Sequence, residues 1–172
     1  MSAGAVPSST RSYTLASEQA TIALGRALAP ALEAVRDGIR AQGLAIGLTG
    51  DLGAGKTTAV RALLRALGVQ GAVKSPTFAL LEPYEVSRLN LYHFDFYRFK
   101  NPKEFLDGGF SEYFGPGCVD LVEWPERAGA YLPALDLDVV LQVTATGRSA
   151  RLTAHTEIGS TCLKQLALHF AR

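Results

Sequence analysis

The sequence predicts an α/β fold, with strands added at the edges of the domain. Three observations predict this fold. An apolar run that ends in glycine is followed at once by a helical pattern, which is typical of a strand, a loop and a helix in succession. Two further stretches have the composition of β-hairpins, with apolar and β-branched residues on both sides of a polar break. The 172 residues, 48% of them hydrophobic, suffice for one compact domain.

Charge and composition argue against several classes of protein. The chain has 17 basic and 16 acidic residues, so it lacks the overall positive field of a dedicated nucleic-acid binder, and direct DNA binding is not expected. Cys118 and Cys162 lie far apart and belong to no metal-binding motif. MSAGAVPSST lacks the basic start and the apolar run that are typical of a signal peptide, and no apolar run of 18 or more residues predicts a membrane helix. We therefore expect a soluble protein of the reducing cytoplasm.

The N-terminal residues are expected to lie outside the fold. MSAGAVPSST is small, polar and contains proline, which predicts a disordered tail over residues 1–11 and a single domain over residues 12–172. Ser17 then has the position of a helix N-cap before apolar residues at helical spacing. Pro30 predicts a kink or a break that would divide this helix.

The remaining elements follow in order along the chain. LAIGLTG predicts a strand, and AVRALLRALG predicts a helix that ends at Gly68. Residues 77–84 and 89–98 predict two antiparallel strands on either side of the break EVSR. CVDLVEW predicts another buried strand that stops at Pro125. DLDVVLQV and SARLTAH predict a second hairpin around the turn TATGR, and residues 161–170 predict a final helix.

The loop between the first strand and its helix carries a phosphate-binding motif. Gly50 to Thr57, GDLGAGKT, matches GxxxxGK[ST] at every fixed position and has the strand-loop-helix context that the motif requires. The loop would surround the phosphates of a nucleotide with backbone N–H groups at the positive end of the helix. Lys56 would reach the β- and γ-phosphates, and the Thr57 hydroxyl would bind Mg²⁺. An ordinary glycine-rich turn is the disfavoured alternative, because motif and context agree.

A magnesium site of this kind needs an acid besides the threonine, and two strands offer one. Glu123 ends the strand CVDLV, and Asp95 lies near the end of LNLYHFD. Strand alternation puts His93, Asp95 and Tyr97 on one face and Arg98 on the other, so a local ion pair does not explain Asp95. Taken alone, Asp95 is equally consistent with a solvated acid of an edge strand, and the upstream phosphate loop favours a functional role.

Two nearby residues have roles that the sequence leaves open. Trp124, the only tryptophan, directly follows Glu123 and is equally consistent with core packing, with covering the nucleotide or with contacting a partner. Thr77 in KSPTF lies downstream of Lys56 at a separation at which nucleotide switches place a threonine over the γ-phosphate. A proline turn at Pro76 that enters a strand explains KSPTF equally well.

Four motifs together resemble one known family. GDLGAGKTT, KSPTF, LYHFDFYR and VEWPER, in this order and at these separations, resemble the TsaE family, also called YjeE, of small bacterial P-loop ATPases that are needed to make threonylcarbamoyladenosine in tRNA. The resemblance extends from about Ser17 to the end of the second hairpin. It implies a P-loop nucleotide-binding fold, with a central parallel sheet flanked by antiparallel strands, and an ATPase that uses ATP and Mg²⁺ and is slow alone. It also implies action with TsaB and TsaD homologues, through which tRNA would be contacted indirectly.

The resemblance further implies the roles of individual residues. It implies that Asp95 acts with Lys56 in hydrolysis, on the γ-phosphate side, and that Thr57 and Glu123 hold Mg²⁺. It places Trp124 close to the nucleotide. The nucleotide-binding set that it implies consists of Gly50, Asp51, Leu52, Gly53, Ala54, Gly55, Lys56, Thr57, Thr58, Glu18, Asp95, Trp124, Gly147 and Arg148.

The chain departs from the family pattern at two places. Asp120 falls inside an apolar strand where the family usually has an uncharged residue, so either that strand has a wet face or Asp120 has a partner. The stretch over residues 29–43 is longer than the family usually needs, which leaves the helix boundary there uncertain.

Other functions of a phosphate loop were weighed against the ATPase. A small-molecule kinase usually needs a lid with clustered arginines, and Arg148 and Arg151 are the nearest approach to such a cluster. A GTPase is disfavoured, because no NKxD-type guanine-reading motif occurs. A nucleotide-dependent interaction module with negligible turnover differs from the ATPase only in rate.

Overall fold

The structure, a computed structural model, describes residues 8–170, and its seven strands form one sheet. The strands are β1 (Ser9–Leu15), β2 (Leu44–Thr49), β3 (Leu81–Val86), β4 (Leu89–Asp95), β5 (Cys118–Glu123), β6 (Leu137–Thr144) and β7 (Gly147–Ala154). The helices are α1 (Glu18–Ala34), α2 (Arg36–Gln42), α3 (Lys56–Ala66), α4 (Glu104–Asp107) and α5 (Glu157–Phe170).

The sheet has parallel strands at its centre and antiparallel strands at its edges. Its order is β1-β7-β6-β2-β5-β4-β3. Strand β2 is parallel to both β5 and β6, and β4 is parallel to β5, whereas β1, β3 and β7 pair antiparallel with their neighbours. The predicted α/β fold is therefore confirmed, including the flanking antiparallel strands. Because parallel strands share their direction, the ends of β2, β4 and β5 meet at one edge of the sheet.

The first strand corrects the predicted tail. Residues 9–11 pair with residues 152–154 of β7, so the prediction that they belong to a disordered tail is wrong. The side chains of β1 are mostly exposed, and only Leu15 is buried, because an edge strand can be held by its backbone hydrogen bonds while its side chains face water. A composition rule that looks for apolar residues misses such a strand. Residues 1–7 of the predicted tail lie outside the described residues.

The N-terminal helix begins as predicted and ends elsewhere. The Ser17 hydroxyl caps α1 by accepting a hydrogen bond of 3.2 Å from the backbone N–H of Ala20. The break does not fall at Pro30, because α1 continues to Ala34, and Val35 separates it from α2. Buried residues on both sides of Pro30 pack in the core, and this tertiary packing outweighs the local cost of proline.

Both hairpins form, with shifted boundaries in the first. Glu85 and Val86 of the predicted break belong to β3, and Ser87 and Arg88 make the turn with φ values of 54° and 59°. Both residues at positive φ is the geometry of a type I′ hairpin turn. The strand predicted over residues 77–84 begins only at Leu81, and the one predicted over 89–98 ends at Asp95. The final helix begins at Glu157, four residues before the predicted start at Thr161.

Apolar side chains cover both faces of the central strands. The larger core cluster joins α1, α3 and α5 to one face of the sheet. A smaller aromatic cluster covers the other face and includes Phe94, Phe96, Phe99, Phe105, Val122 and Ala128. Of the two alternatives for Asp120, a strand face exposed to water is wrong, since this residue is only 1% exposed. Among the described residues, no helix has both the length and the hydropathy that crossing a membrane requires.

Candidate functional site

The phosphate loop lies at the edge of the sheet where β2 ends. The chain leaves β2 at Thr49, turns through residues 50–55 and enters α3 at Lys56. Gly55 precedes the helix at a φ of 106°, which favours glycine. A Cβ atom on Gly50 would lie 2.3 Å from the carbonyl oxygen of Leu141, so the start of the loop also requires glycine. The loop thus opens at the N-terminus of α3, as the motif predicts.

The side chain of Lys56 folds back over this loop. Its Nζ donates hydrogen bonds to the carbonyl oxygens of Gly50 and Asp51, the latter at 2.9 Å. It also lies 4.3 Å from the centre of the Trp124 ring, within range of a cation–π contact. Burial lowers the pKa of Lys56, while the carboxylates of Glu123 and Asp95 act in the opposite direction. A positive group is therefore held at the loop, in the negative field of two nearby acids.

Thr57 and Glu123 meet directly. The Thr57 hydroxyl donates a hydrogen bond of 2.8 Å to Oε1 of Glu123, which is 2% exposed at the end of β5. The Nε2 atom of His93 on neighbouring β4 lies 2.9 Å from the same oxygen. Both contacts use Oε1, so neither occupies Oε2. The two residues to which the family resemblance assigned Mg²⁺ are thus in contact. The Glu123 carboxylate is held by Thr57 on one side and by His93 on the other.

Asp95 lies beside this group at the end of β4. It is paired across the sheet with Glu123, and its side chain is 4% exposed. Its Oδ1 accepts a hydrogen bond of 2.9 Å from the backbone N–H of Tyr97, and its Oδ2 accepts one from the Ser75 hydroxyl. The alternative of a solvated edge-strand acid is wrong, because β4 lies between β3 and β5 and the carboxylate is buried.

A cleft of about 360 Å³ opens above these side chains. It brings together most of the predicted site: loop residues, the Thr57–Glu123 pair, Asp95, Trp124 and Arg148. Arg148 reaches the loop from the start of β7, and its Nη2 donates a hydrogen bond of 3.1 Å to the Gly53 carbonyl. The lining residues are Leu52, Gly53, Gly55, Lys56, Thr57, Thr58, Ser75, Thr77, Asp95, Tyr97, Glu123, Trp124 and Arg148.

Some predicted residues do not line this cleft. Glu18 is exposed at the start of α1 and lies in a separate, smaller cleft that also contacts Thr58. Gly147 is the first residue of β7, directly before Arg148, and a Cβ atom there would lie 2.5 Å from the Leu15 carbonyl oxygen. Gly50, Asp51 and Ala54 shape the loop without lining the cleft. The nucleotide-binding roles of all these residues stay predictions.

Trp124 lies between the aromatic cluster and the cleft. It is half-buried against the aromatic cluster and also lines the cleft. Its ring centre lies 5.0 Å from that of Tyr97, and its backbone has a positive φ of 59°. A bulky residue at positive φ is held there by its surroundings. The ring is therefore fixed beside Lys56 at the wall of the cleft.

Sequence reasoning missed two contacts at this site. Thr77 lines the cleft as the switch hypothesis required, but the residue of KSPTF that binds Asp95 is Ser75. The contact of His93 with Glu123 was not foreseen either, because it depends on how β4 aligns with β5. Alternation along β4 had put His93 on the face of Asp95, and that was the one signal available.

The described residues contain no group of three or more His, Cys, Asp or Glu side chains arranged to hold a metal ion. This observation agrees with a magnesium site of the P-loop type, in which one or two protein oxygens act together with the phosphates of the substrate. The hydroxyl and carboxylate oxygens of Thr57 and Glu123 are the hard oxygen donors that Mg²⁺ prefers. The residues present therefore fit a magnesium–nucleotide ligand.

Comparison with known proteins identifies the relatives of this chain. Residues 15–152 match the family model described as threonylcarbamoyl adenosine biosynthesis protein TsaE. The tRNA threonylcarbamoyladenosine biosynthesis protein TsaE of Haemophilus influenzae is 42% identical over 112 residues, 65% of this chain and 71% of that protein. The protein of the same name from Nostoc is 38% identical over 145 residues, 81% of this chain and 83% of that protein.

A solved structure has the same fold. The crystal structure of Bacillus subtilis YdiB superimposes with a TM-score of 0.71 at 28% sequence identity. The match covers 95% of this chain and 97% of YdiB. The agreement thus includes the edge strands and not only the phosphate loop.

Proposed function

The chain belongs to the TsaE family, and from this premise we propose that it binds ATP with Mg²⁺ and hydrolyses it in support of threonylcarbamoyl modification of tRNA. The observation that carries the proposal is the meeting of Thr57 and Glu123, at 2.8 Å, beside the phosphate loop and Asp95. A loop that binds phosphates, a pair of hard oxygen donors and a separate buried carboxylate are the parts that hydrolysis of a nucleoside triphosphate requires.

Each part has a distinct role in binding. The backbone N–H groups of the loop and Lys56 bind the phosphates, for which Lys56 exchanges its carbonyl partners for phosphate oxygens. Thr57 and Glu123 hold Mg²⁺, and His93 keeps the Glu123 carboxylate in position. When bound, Mg²⁺ supplies neutralisation of the negative charge that builds up on the phosphates.

Asp95 is the residue that we assign to the hydrolytic step. Its carboxylate lines the cleft and has a fixed orientation, because Tyr97 and Ser75 each hold one of its oxygens. It orients the attacking water and accepts its proton, which is the role that a buried, positioned carboxylate performs in phosphoryl transfer. Trp124 and Tyr97 form the wall that limits access of bulk water.

The partners follow from the family. TsaB and TsaD homologues would carry out the modification, and the ATPase would act on their complex in the cytoplasm, where tRNA is modified. The formal net charge of +1 suits this division of labour, because a chain without a positive surplus does not bind the tRNA backbone tightly by itself.

A phosphate-release assay tests the proposal. ATP and GTP are compared with and without the TsaB and TsaD pair, and Asp95→Asn is compared with Asp107→Asn, a change at an exposed acid outside the cleft. We expect Asp95→Asn to lower the hydrolysis rate about 100-fold or more with ATP affinity nearly intact, and Asp107→Asn to leave both unchanged. Undiminished turnover in Asp95→Asn would remove the proposed role, and transfer of phosphate to a metabolite instead of water would favour a kinase.

A further inference from the structure

A second cleft lies at the opposite end of the parallel strands. It has a volume of about 360 Å³ and is lined by the segments that precede β2, β5 and β6, including Gly43, Gly115 and Pro133. None of its lining residues belongs to the nucleotide cleft. The two clefts are therefore separate, and nothing in the proposed ATPase cycle uses the second one.

One buried carboxyl group in this cleft has an unsatisfied oxygen. Asp120 lines the cleft and is 1% exposed, and its Oδ1 has no hydrogen-bond partner among the described residues. A buried polar atom without a partner is costly, and it marks a place where a ligand can supply the missing contact. This is the residue at which the chain departs from the TsaE pattern, so the family's nucleotide chemistry does not explain it.

The surroundings of Asp120 contain no compensating positive charge. Asp136 lines the same cleft, and its carboxylate is already engaged, with Ala45 N–H at 2.8 Å and the Thr156 hydroxyl at 2.7 Å. The charge that acts on Asp120 is that of Asp136, which is itself negative. The cleft is thus electronegative, with one carboxyl group available to a ligand.

The remaining lining residues indicate the kind of cation. Leu44, Phe114, Pro133 and Ala134 give the cleft apolar walls, which suit a desolvated organic group. An aromatic ring at the wall adds a surface that attracts organic cations. A metal ion is disfavoured, because the other carboxylate of the cleft, Asp136, is engaged by Ala45 and Thr156, which leaves Asp120 as a single acidic ligand.

We propose that this cleft binds an organic cation, namely the ammonium or guanidinium group of a ligand the size of a lysine or arginine side chain. Asp120 pairs with the positive group, and the apolar walls contact its alkyl chain. The proposal does not depend on the proposed ATPase function, since the two clefts share no residue.

Burial and the nearby Asp136 raise the pKa of Asp120 to about 8. The group is therefore mostly protonated at neutral pH, and binding of a cation to the carboxylate releases a proton. Affinity should accordingly rise as the pH increases toward 8 and level off above it. A ligand that only occupies the apolar walls would show no such dependence.

Calorimetric titration of the whole chain tests the proposal with n-butylammonium and methylguanidinium. We expect binding of at least one of the two, with proton release below pH 8 and no binding of the neutral analogue n-butanol. Asp120→Asn should weaken the binding at least about tenfold, because it removes a charge-assisted contact. Asp138→Asn is the matched control, because Asp138 lies outside this cleft and pairs with His155.

A comparison of two kinds of ligand distinguishes a cation supplied by a partner protein from a free small molecule. N-acetyl-lysine methylamide and its arginine equivalent represent a side chain of a partner protein, whereas the simple amines represent a free metabolite. Tighter binding of the blocked amino acids would identify a protein side chain as the ligand, and tighter binding of the simple amines a small molecule. Absence of binding by all four cations, or equal binding to Asp120→Asn with its fold verified by thermal unfolding, would overturn the proposal.

Discussion

Two residues of β5, Glu123 and Asp120, present the same chemical group in opposite circumstances. Glu123 and Asp120 are carboxylic acids three positions apart, and they are 2% and 1% exposed. Because side chains alternate along a strand, they lie on opposite faces of the sheet. Glu123 has hydrogen bonds with Thr57 and His93, whereas Oδ1 of Asp120 has none among the described residues.

This difference shows that burial alone does not define a site. Burying a carboxylate is unfavourable unless hydrogen bonds or a cation stabilise its charge. At Glu123 the neighbouring elements supply the partners, since Thr57 and His93 both contact its carboxyl group. At Asp120 the partners are missing, and the group retains its proton up to a pH of about 8. The first arrangement suits the proposed Mg²⁺ site, and the second costs stability when the group ionises.

Asp120→Asn should produce the largest effect, on the free energy of unfolding. The pKa of Asp120 is raised from 3.8 to about 8, so between these values the folded state holds a proton that the unfolded state has lost. The contribution of Asp120 to the free energy of unfolding should therefore fall as the pH rises through this window and become constant above it. Asparagine has no such penalty, so the variant should gain up to about 5 kcal/mol relative to the natural chain at about pH 9.

Denaturant unfolding at several pH values measures this gain. The gain should be close to zero at about pH 4, where Asp120 is protonated in both states. Asp138→Asn, a change at a partly exposed acid, is the control and should show no comparable pH-dependent gain. A variant that is less stable than the natural chain at high pH would contradict the missing-partner interpretation of Asp120.

The site around Glu123 could be predicted from the sequence in large part, for a physical reason. The phosphate loop is contiguous, so its geometry follows from local residue types, and Lys56 and Thr57 follow at fixed spacing within it. Glu123 ends an apolar strand, and parallel strands that share an edge bring such ends together. Asp95 also lies near the end of such a strand, so the position in the strand left two candidate acids, and the family resemblance assigned Mg²⁺ to Glu123.

Glu123→Gln should have the next largest effect, on nucleotide binding and hydrolysis. The amide keeps the size of the side chain and removes its negative charge, so the proposed Mg²⁺ site loses its carboxylate ligand. We expect hydrolysis to fall about 100-fold and the Mg²⁺-dependent part of ATP affinity to disappear. ATP binding measured with and without Mg²⁺ checks this result, with the exposed Glu112→Gln as control. An unchanged Mg²⁺ requirement would show that Glu123 is not a ligand.

Two substitutions of His93 distinguish its positioning of the Glu123 carboxylate from its packing in the core. His93→Leu fills the buried position with an apolar side chain and removes the contact with Glu123, whereas His93→Gln keeps an N–H donor within reach of Glu123. We expect His93→Leu to raise the Mg²⁺ concentration for half-maximal ATP binding about tenfold and His93→Gln to restore most of the loss. Mg²⁺-free ATP affinity should be unchanged in both. Equal behaviour of the two variants would indicate a structural role only.

Long-range contacts explain what the sequence could not supply. The His93 contact depends on the register of β4, in which Asp95 pairs with Glu123. The position of Ser75 depends on the path of the loop between α3 and β3, where no periodic pattern exists. The burial of Asp120 depends on the loops that close the other face of the sheet. Each of these depends on residues distant in the chain, and a single sequence contains no local signal of such pairings.

Ser75→Ala should have the smallest effect. It tests a carboxylate that loses one of two hydrogen bonds, a case intermediate between Glu123 and Asp120. Asp95 has two partners, and the change removes one while the Tyr97 N–H remains. A hydrogen bond to a carboxylate that retains another partner contributes about 1 kcal/mol, so hydrolysis should fall about fivefold with ATP affinity unchanged. Steady-state phosphate release measures kcat and KM, and Ser12→Ala on exposed β1 is the control. A loss as large as that of Asp95→Asn would mean that the serine hydroxyl itself takes part in the reaction, because a positioning contact alone cannot account for it.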